Sequence, residues 1–158
     1  MAVSTLSVII MLNIRTDTIE ELTDNSDLVL ESLNLLLPQL SENAKQLTKD
    51  DLSAILKSLS SHLFVAYKNN MIVGMLTLTI NVIPTGKKAM IEDVVVDKNF
   101  RKYGIAKELV TFGLNYAKQN GAKSVELTSR PSREAANKLY SKLGFNIRET
   151  NVYRFNFG

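Results

Sequence analysis

The apolar positions of this chain follow a helical period in one stretch and a strand period in the next. Residues 25–37 carry apolar side chains at helical spacing, and Pro38 ends the stretch. A second helix is predicted to begin near Thr48, whose hydroxyl can cap the first turn. The pattern predicts a helix pair, with Leu28, Val29, Ser32, Leu33, Leu36 and Leu37 as one buried face and Leu52, Ile55, Leu56 and Leu59 as the other.

Strand-like composition follows the helix pair. Residues 62–68 and 71–80 are β-rich runs joined by Asn69 and Asn70, which tolerate the positive φ angles of a tight hairpin turn. After a predicted loop over 84–88, the run 89–96 reads as a further strand. An antiparallel hairpin and a third strand are therefore expected.

The last part alternates again between helix and strand. A helix over 104–120 is predicted to end at Gly121, and a short strand over 124–128 follows it. Ser132 is predicted to cap a last helix that stops at Gly144. Its expected apolar face is Ala135, Ala136, Leu139, Tyr140 and Leu143. The segments 145–149 and 152–157 alternate at period two, which predicts a closing hairpin.

This order of elements predicts an α/β fold of the mixed α+β kind, a mixed sheet with helices on both faces. The chain has 158 residues, which suits one domain, and we expect residues 13–158 to form it. Residues 1–12 are either an N-terminal extension, with Met11 as the native start, or part of a first strand that continues through 13–15. The second interpretation is preferred, because no signal-peptide pattern is present.

Composition narrows the chemistry. The chain contains no cysteine, which excludes a disulfide scaffold, a thiolate metal site and a cysteine nucleophile. The formal net charge of +3 comes from scattered Lys and Arg residues, so no nucleic-acid partner is expected. No run is long and apolar enough to span a bilayer, so neither a membrane location nor a membrane partner is expected. We expect a cytoplasmic protein.

The stretch 91–106 is the most informative part of the chain. An apolar strand passes through a short polar turn into a helix that starts with Gly104, Ile105 and Ala106. Backbone N–H groups at the first turn of a helix lack partners and lie at the positive end of the helix dipole. The pattern therefore predicts a phosphate cradle.

Two motifs resemble those of the GNAT family of N-acetyltransferases. Arg101, Gly104 and Ala106 give the pattern Arg-x-x-Gly-x-Ala, which is similar to the coenzyme A pyrophosphate loop of that family. Further along, Asn137, Tyr140 and Gly144-Phe145 are similar to its late helix. The resemblance implies a GNAT-like fold whose central sheet is mostly antiparallel. It also implies acetyl-CoA as cosubstrate, no metal, and direct transfer to a primary amine.

The resemblance also implies the cofactor contacts. In that family the pantetheine arm pairs with the strand before the loop, and the loop holds the pyrophosphate. The expected cofactor-binding residues are Val94, Val95, Val96, Arg101, Lys102, Tyr103, Gly104, Ile105, Ala106 and Asn137.

Two side chains are candidates for proton transfer. Glu92 stands in an apolar strand, and a carboxylate there can collect the proton of an alkylammonium substrate. The alternative is a solvated strand end, or pairing of Glu92 and Asp93, expected on opposite faces, with Lys87, Lys88 or Arg130. Tyr140 can donate a proton to the leaving thiolate, and the alternative for it is a core aromatic.

Dinucleotide-binding, P-loop and metal sites fit this sequence less well. The segment 104–109 has Leu109 where a dinucleotide-binding motif needs its third Gly, and Lys88 stands where a P-loop needs Ser or Thr. His62, the single histidine, has no second ligand for a metal, which favours a surface or core-edge role.

The acceptor is expected to be a small-molecule amine. A protein lysine or N-terminus, and a non-catalytic acyl-CoA-binding regulatory module, remain the alternatives. The closing hairpin can form either a core layer or a homodimer contact.

Overall fold

Five strands form one sheet in the computed structural model, which describes residues 17–158. The strands lie in chain order, and all neighbours are antiparallel except the last pair, which is parallel. The strands are β1 (Thr18–Glu21), β2 (Ser61–Lys68), β3 (Met71–Ile83), β4 (Gly86–Val96) and β5 (Val125–Leu127), and the helices are α1 (Asp27–Leu40), α2 (Lys49–Lys57), α3 (Ile105–Gln119) and α4 (Glu134–Lys142). The predicted mixed sheet is confirmed.

The chain divides into two compact units. One unit runs up to Thr128 and contains the whole sheet with α1, α2 and α3, and the second is Ser129–Gly158 with α4. The interpretations of residues 1–12 and of 13–15 lie outside the described residues. Within residues 17–158, no helix combines the length and the apolar character needed to cross a bilayer.

Helices α1 and α2 cover one face of the sheet. The Ser26 hydroxyl accepts a hydrogen bond from the Val29 N–H to cap α1, and Thr48 and Asp51 form a capping box at the start of α2. Leu52 of α2 is fully buried. The core on this side joins both helices to the sheet through Val29, Leu33, Leu36, Leu52, Leu63, Val65, Tyr67, Met75 and Val95.

Two predicted members of the buried faces are exposed. Leu28 is 74% exposed because it lies on the outer side of α1. Val29 and Leu33 lie on the opposite side of the helix, which faces the core. Leu59 is 98% exposed because α2 ends at Lys57, so the helical spacing no longer applies to it. Ile55 and Leu56 pack partly buried against the core, as predicted.

Two tight turns connect the three central strands. Asn69 and Asn70 have φ of 48° and 65°, which confirms the predicted hairpin turn. The predicted loop over 84–88 was too long: only Pro84 and Thr85 form the turn, because β3 runs to Ile83 and β4 begins at Gly86. Lys87 and Lys88 belong to β4 and pair with β3. Their polarity suggested a loop, but polar residues are also common on the side of a strand that faces solvent.

Helix α3 covers the opposite face, so helices lie on both faces as predicted. Leu109, Val110, Gly113 and Ala117 are its buried positions. The helix approaches the sheet closely at Gly74, where a Cβ would lie 3.1 Å from the Leu109 side chain and 3.1 Å from a β4 carbonyl. A larger residue at this position would push α3 away from the sheet.

A polar cluster joins β1, β2 and α3 at the edge of the core. His62 Nδ1 lies 2.7 Å from Glu21 Oε1, and the Tyr116 hydroxyl lies 3.2 Å from Glu21 Oε2 and 3.1 Å from His62 Nδ1. Burial, followed by the nearby Glu21 charge, raises the pKa of Tyr116. His62 thus has the core-edge role that the sequence favoured.

The second unit differs from the prediction in two respects. Helix α4 begins at Glu134, and its N-cap is Arg133 without a side-chain cap, so the predicted Ser132 cap was wrong. The closing hairpin was also wrong: residues 146–158 contain no strand. Alternation alone does not form a hairpin, because strands need partners that bury one face. The exposed apolar side chains of this tail are Ile147, Val152, Tyr153, Phe155 and Phe157.

The revised burial of α2 yields a prediction. We expect Leu52→Ala to lower the free energy of unfolding by about 2–5 kcal/mol, because it leaves a cavity beneath the helix pair. The matched substitution Leu59→Ala removes the same atoms from an exposed position and should change the free energy by less than about 0.5 kcal/mol. Urea unfolding of both variants measures the difference, and equal losses would contradict the assigned burial.

Candidate functional site

The site begins with an irregularity in β4. Val95 pairs with Met75 and Glu92 with Thr77, so two β4 residues, Asp93 and Val94, oppose one β3 residue. Asp93 has a φ of 52°, outside the usual range for a residue with a side chain. This is a β-bulge, and it interrupts the alternation from which Asp93 was expected to face opposite to Glu92.

Beyond the bulge, one side of β4 has no neighbouring strand among residues 17–158. β5 pairs with β4 only over the register Ala89 to Ile91. From Glu92 onward, no described strand occupies the β5 side of β4. Val94, Val95 and Val96 lie in this part, and Val95 and Val96 are buried. The edge of β4 therefore has no described strand partner here, although its residues are largely covered.

The turn after β4 is held by its own hydrogen bonds. Asp97 Oδ1 accepts from the Asn99 N–H at 2.8 Å and caps the 3₁₀ turn Lys98–Phe100. Arg101 Nε donates to the Val96 carbonyl at 3.0 Å, which folds the Arg side chain back toward the end of β4. Lys102 then adopts a φ of 71°. The turn thus has a defined shape before any ligand binds.

Gly104 begins α3 in a left-handed conformation that an L-residue adopts only with strain. Its φ is 85°, and a Cβ built on it would meet nothing within 4 Å. The α3 N-terminus has no side-chain cap. Ile105 and Ala106, half-buried, follow in the first turn. Several backbone donors thus face open space at the positive end of a helix, an arrangement that suits a phosphate group.

Tyr103, the bulky residue before Gly104, lines a surface cavity of about 470 Å³. Residues of β1 and β2 line this cavity, together with Ile105, Glu108 and Phe112 of α3. Tyr103 is 69% exposed. The ring therefore borders the cavity on the β1 side of α3.

Glu92 lies at the start of the unpaired part of β4. Its side chain and that of Asp93 are exposed, and neither forms a salt bridge with another residue of the described part of its unit. Pairing with Lys87, one of the alternatives, does not occur: its Nζ donates instead to the Asn120 carbonyl at the end of α3. Glu92 is therefore accessible to a ligand at the β4 edge.

Asn137 and Tyr140 belong to the second unit. Asn137 Nδ2 donates to the Arg130 carbonyl at 3.0 Å, which fixes the chain before α4. Tyr140 packs edge-on against Phe145, with ring centroids 5.8 Å apart. Burial raises the pKa of Tyr140, opposed by a smaller effect of the Arg133 charge. Its phenol therefore keeps its proton at neutral pH.

One contact of the turn was not predicted. Gln39, in the last turn of α1, bonds to Asp97 and Lys98. Its sequence signal is weak, since a Gln after a Pro near a helix end is usually only a solvated residue. Asp97 itself was seen only as part of the turn. Among the described residues, no group of three or more metal-ligating side chains is present.

Known proteins resemble this chain in sequence and in fold. The family model described as acetyltransferase (GNAT) family matches residues 30–145. An uncharacterized N-acetyltransferase of Methanocaldococcus jannaschii is 34% identical over 89 residues, which are 54% of this chain and 39% of that protein. The matched part thus spans well under half of that relative's length.

Solved structures match over most of the chain. A transcriptional regulator from Bacillus halodurans has a TM-score of 0.76 at 27% identity, covering 89% of this chain and 99% of that one. An aminoglycoside acetyltransferase from an uncultured soil metagenomic sample, solved with trehalose, has a TM-score of 0.77 at 25% identity, covering 89% and 95%.

The burial of Tyr140 yields a second prediction. The difference in phenolate absorbance between the wild type and Tyr140→Phe, recorded against pH, should have its midpoint above pH 10, because burial disfavours the charged phenolate. Circular dichroism at each pH checks that the protein is still folded. A midpoint at or below pH 10 would show that the phenol is solvated.

Proposed function

The chain belongs to the acetyltransferase (GNAT) family, and we propose that it transfers an acetyl group from acetyl-CoA directly to a primary amine of a small metabolite. The observation that carries this proposal is the uncapped start of α3 at Gly104, next to the unpaired edge of β4. Together they offer a phosphate-binding helix end and a strand edge for an amide-containing arm. The domain proposed is 13–158, since the family match crosses the boundary at Thr128.

The donor groups present fit coenzyme A. The N–H groups from Arg101 to Ala106 are assigned to the pyrophosphate, and the open space over Gly104 lets it approach the backbone. The edge of Val94–Val96 is assigned to the pantetheine amides and to the thioester oxygen. Asn137 is assigned to a further cofactor contact. When bound, acetyl-CoA supplies an activated acetyl group; the chain has no cysteine to carry it, which supports direct transfer.

Glu92 is assigned the role of general base. An alkylammonium with a pKa of about 10 is almost fully protonated at neutral pH, and its nitrogen cannot attack until the proton leaves. Glu92 is exposed beside the unpaired edge of β4, and no other described residue of its unit neutralises it in a salt bridge. It can accept the proton directly or through one water molecule.

Tyr140 is assigned the role of general acid. Its raised pKa keeps the proton available at neutral pH. The same shift makes the phenol a weaker donor toward a thiolate, whose thiol has a pKa of about 8.5. We therefore assign Tyr140 a smaller share of the rate than Glu92.

The substrate class rests on a comparison. One similar structure, at 25% identity, is an aminoglycoside acetyltransferase, and its acceptor is a small amine. This supports a small metabolite over a protein lysine or N-terminus. A second candidate function is a non-catalytic acyl-CoA-binding regulatory module, which is favoured by the likeness to a structure described as a transcriptional regulator.

Calorimetric titration tests the cofactor site. Acetyl-CoA and desulfo-CoA should bind one-to-one with micromolar affinity, and NAD should not bind, because the cradle lacks the third Gly of a dinucleotide site. Gly104→Ala should weaken CoA binding at least about tenfold, which corresponds to about 1.4 kcal/mol.

Gly121→Ala is the matched control for that variant. Gly121 lies just past the other end of α3, has a φ of 78° and also has open space around it. Both substitutions should cost about 1–2 kcal/mol of stability through the left-handed backbone, and only Gly104→Ala should affect binding. If the wild type binds no CoA ligand, the acetyltransferase proposal is wrong.

Steady-state kinetics on an amine panel tests the proton-transfer roles. Glu92→Gln should lower kcat about 100-fold with the KM for acetyl-CoA unchanged, and Tyr140→Phe about 10-fold. The defect of Glu92→Gln should shrink as the pH rises toward 10, because more of the amine is then already neutral. Unchanged activity in a variant would remove its residue from the mechanism, and binding without turnover on any amine would favour the regulatory module.

A further inference from the structure

Gln39 contacts the turn after β4 with both ends of its side-chain amide. Its Nε2 donates to Asp97 Oδ2 at 3.0 Å, and its Oε1 accepts from the Lys98 N–H at 2.8 Å. Nε2 also donates to the Leu35 carbonyl of its own helix at 3.2 Å. The amide is thus oriented by α1 and bonded twice to a segment 58 and 59 positions away in the chain.

The two bonded residues are where the turn leaves the strand. Asp97 directly follows β4 and caps the 3₁₀ turn through Asn99, while Lys98 is the first residue of that turn. The bond from Gln39, together with the Asn99 N–H, holds the pKa of Asp97 below its usual range, so its carboxylate is charged at neutral pH. The path from β4 to Gly104 therefore starts from a position fixed by α1.

The support for Gln39 is rigid. Leu33 and Leu36, in the same helix, are each only 1% exposed and pack in the core beneath the sheet face. A hydrogen-bonding group on a packed helix holds its partner more accurately than a group on a loop does. Gln39 itself is half-buried, and its two bonds to the turn go to Asp97 and Lys98, which come before the residues assigned to the pyrophosphate.

We propose that Gln39 is a positioning residue for the cofactor loop from Asp97 to Ala106. It acts through Asp97 and Lys98 and determines the position of the backbone N–H groups in the first turn of α3 before the diphosphate binds. This inference rests on the proposed function, because it takes that loop to be the coenzyme A site. A preorganised loop loses less conformational freedom on binding, so removal of the anchor should weaken cofactor affinity.

The test uses Gln39→Met, which keeps the length of the side chain and removes its two hydrogen bonds to the turn as well as the one to the Leu35 carbonyl. The Kd for CoA should rise about tenfold. The KM for acetyl-CoA should rise with it while kcat stays nearly constant, because the loop holds the cofactor equally before and during reaction. Amide hydrogen exchange at Lys98 and Asn99, measured without ligand, should become faster.

Asn34→Leu is the matched control. Asn34 lies in the same helix and clamps another loop in the same way, with Nδ2 donating to the Leu47 carbonyl at 3.0 Å and Oδ1 accepting from the Leu47 N–H at 2.8 Å. Both variants should lower the Tm by similar amounts. Only Gln39→Met should change the Kd for CoA, since the Asn34 clamp holds the connection between α1 and α2.

The outcomes separate this inference from the one it rests on. Wild-type affinity in Gln39→Met overturns the positioning role and leaves the acetyltransferase proposal intact, even where exchange at Lys98 is faster. An equal loss of affinity in Asn34→Leu also overturns it, since general destabilisation would then be the cause. Absence of CoA binding by the wild type overturns both.

Discussion

The bulge at Asp93 and Val94 changes β4 in two ways. It shifts the alternation, so that Val95 packs with the α1 and α2 core while Val96 approaches Gly74 and Leu109 on the α3 side. It also lies where pairing with β5 has stopped, so no described strand pairs with that side of β4 from Glu92 onward. Val95 and Val96 are buried here, and the Val96 carbonyl accepts from Arg101 Nε. The buried valines thus hold in place a strand edge that no described strand occupies.

The loop that follows depends on hydrogen bonds from both directions. Arg101 bonds back to the end of β4, and Gln39 bonds in from α1. Between them lies the Asp97 carboxylate, a negative charge near a site that suits a phosphate. Its oxygens accept hydrogen bonds from the Asn99 N–H and from Gln39 Nε2. These bonds reduce the repulsion between the carboxylate and a bound anion. The positive end of α3 and the scattered excess of basic residues act in the opposite sense.

Local sequence patterns predicted much of this fold. The features that were missed depend on contacts between residues far apart in the chain. Apolar spacing located α1, α2 and α3, and the Asn pair located the hairpin turn, because each depends on neighbouring residues. The predicted end of α1 at Pro38 was wrong, because the helix continues through Pro38 to Leu40. The bulge is a register shift against β3, and the Gln39 bonds join residues 58 and 59 positions apart, so neither has a local signature. The tail alternates at period two but forms no strand, because alternation makes a segment suitable for pairing without supplying a partner strand. The roles of Glu92, Asn137 and Tyr140 stay predictions.

The strand order has a consequence for the entropy of folding. β2, β3 and β4 are consecutive neighbours joined by turns at Asn69–Asn70 and Pro84–Thr85, so their long pairings close short loops. A parallel neighbour needs a crossover, and β5 can join β4 only after the chain has passed through α3. Loop closure costs more as the loop lengthens. The loop-closure cost of completing this sheet therefore lies in its two outer pairings, β1 with β2 across α1 and α2, and β4 with β5 across α3. The second of these is the sheet's parallel pairing, and it ends where the unpaired edge of β4 begins.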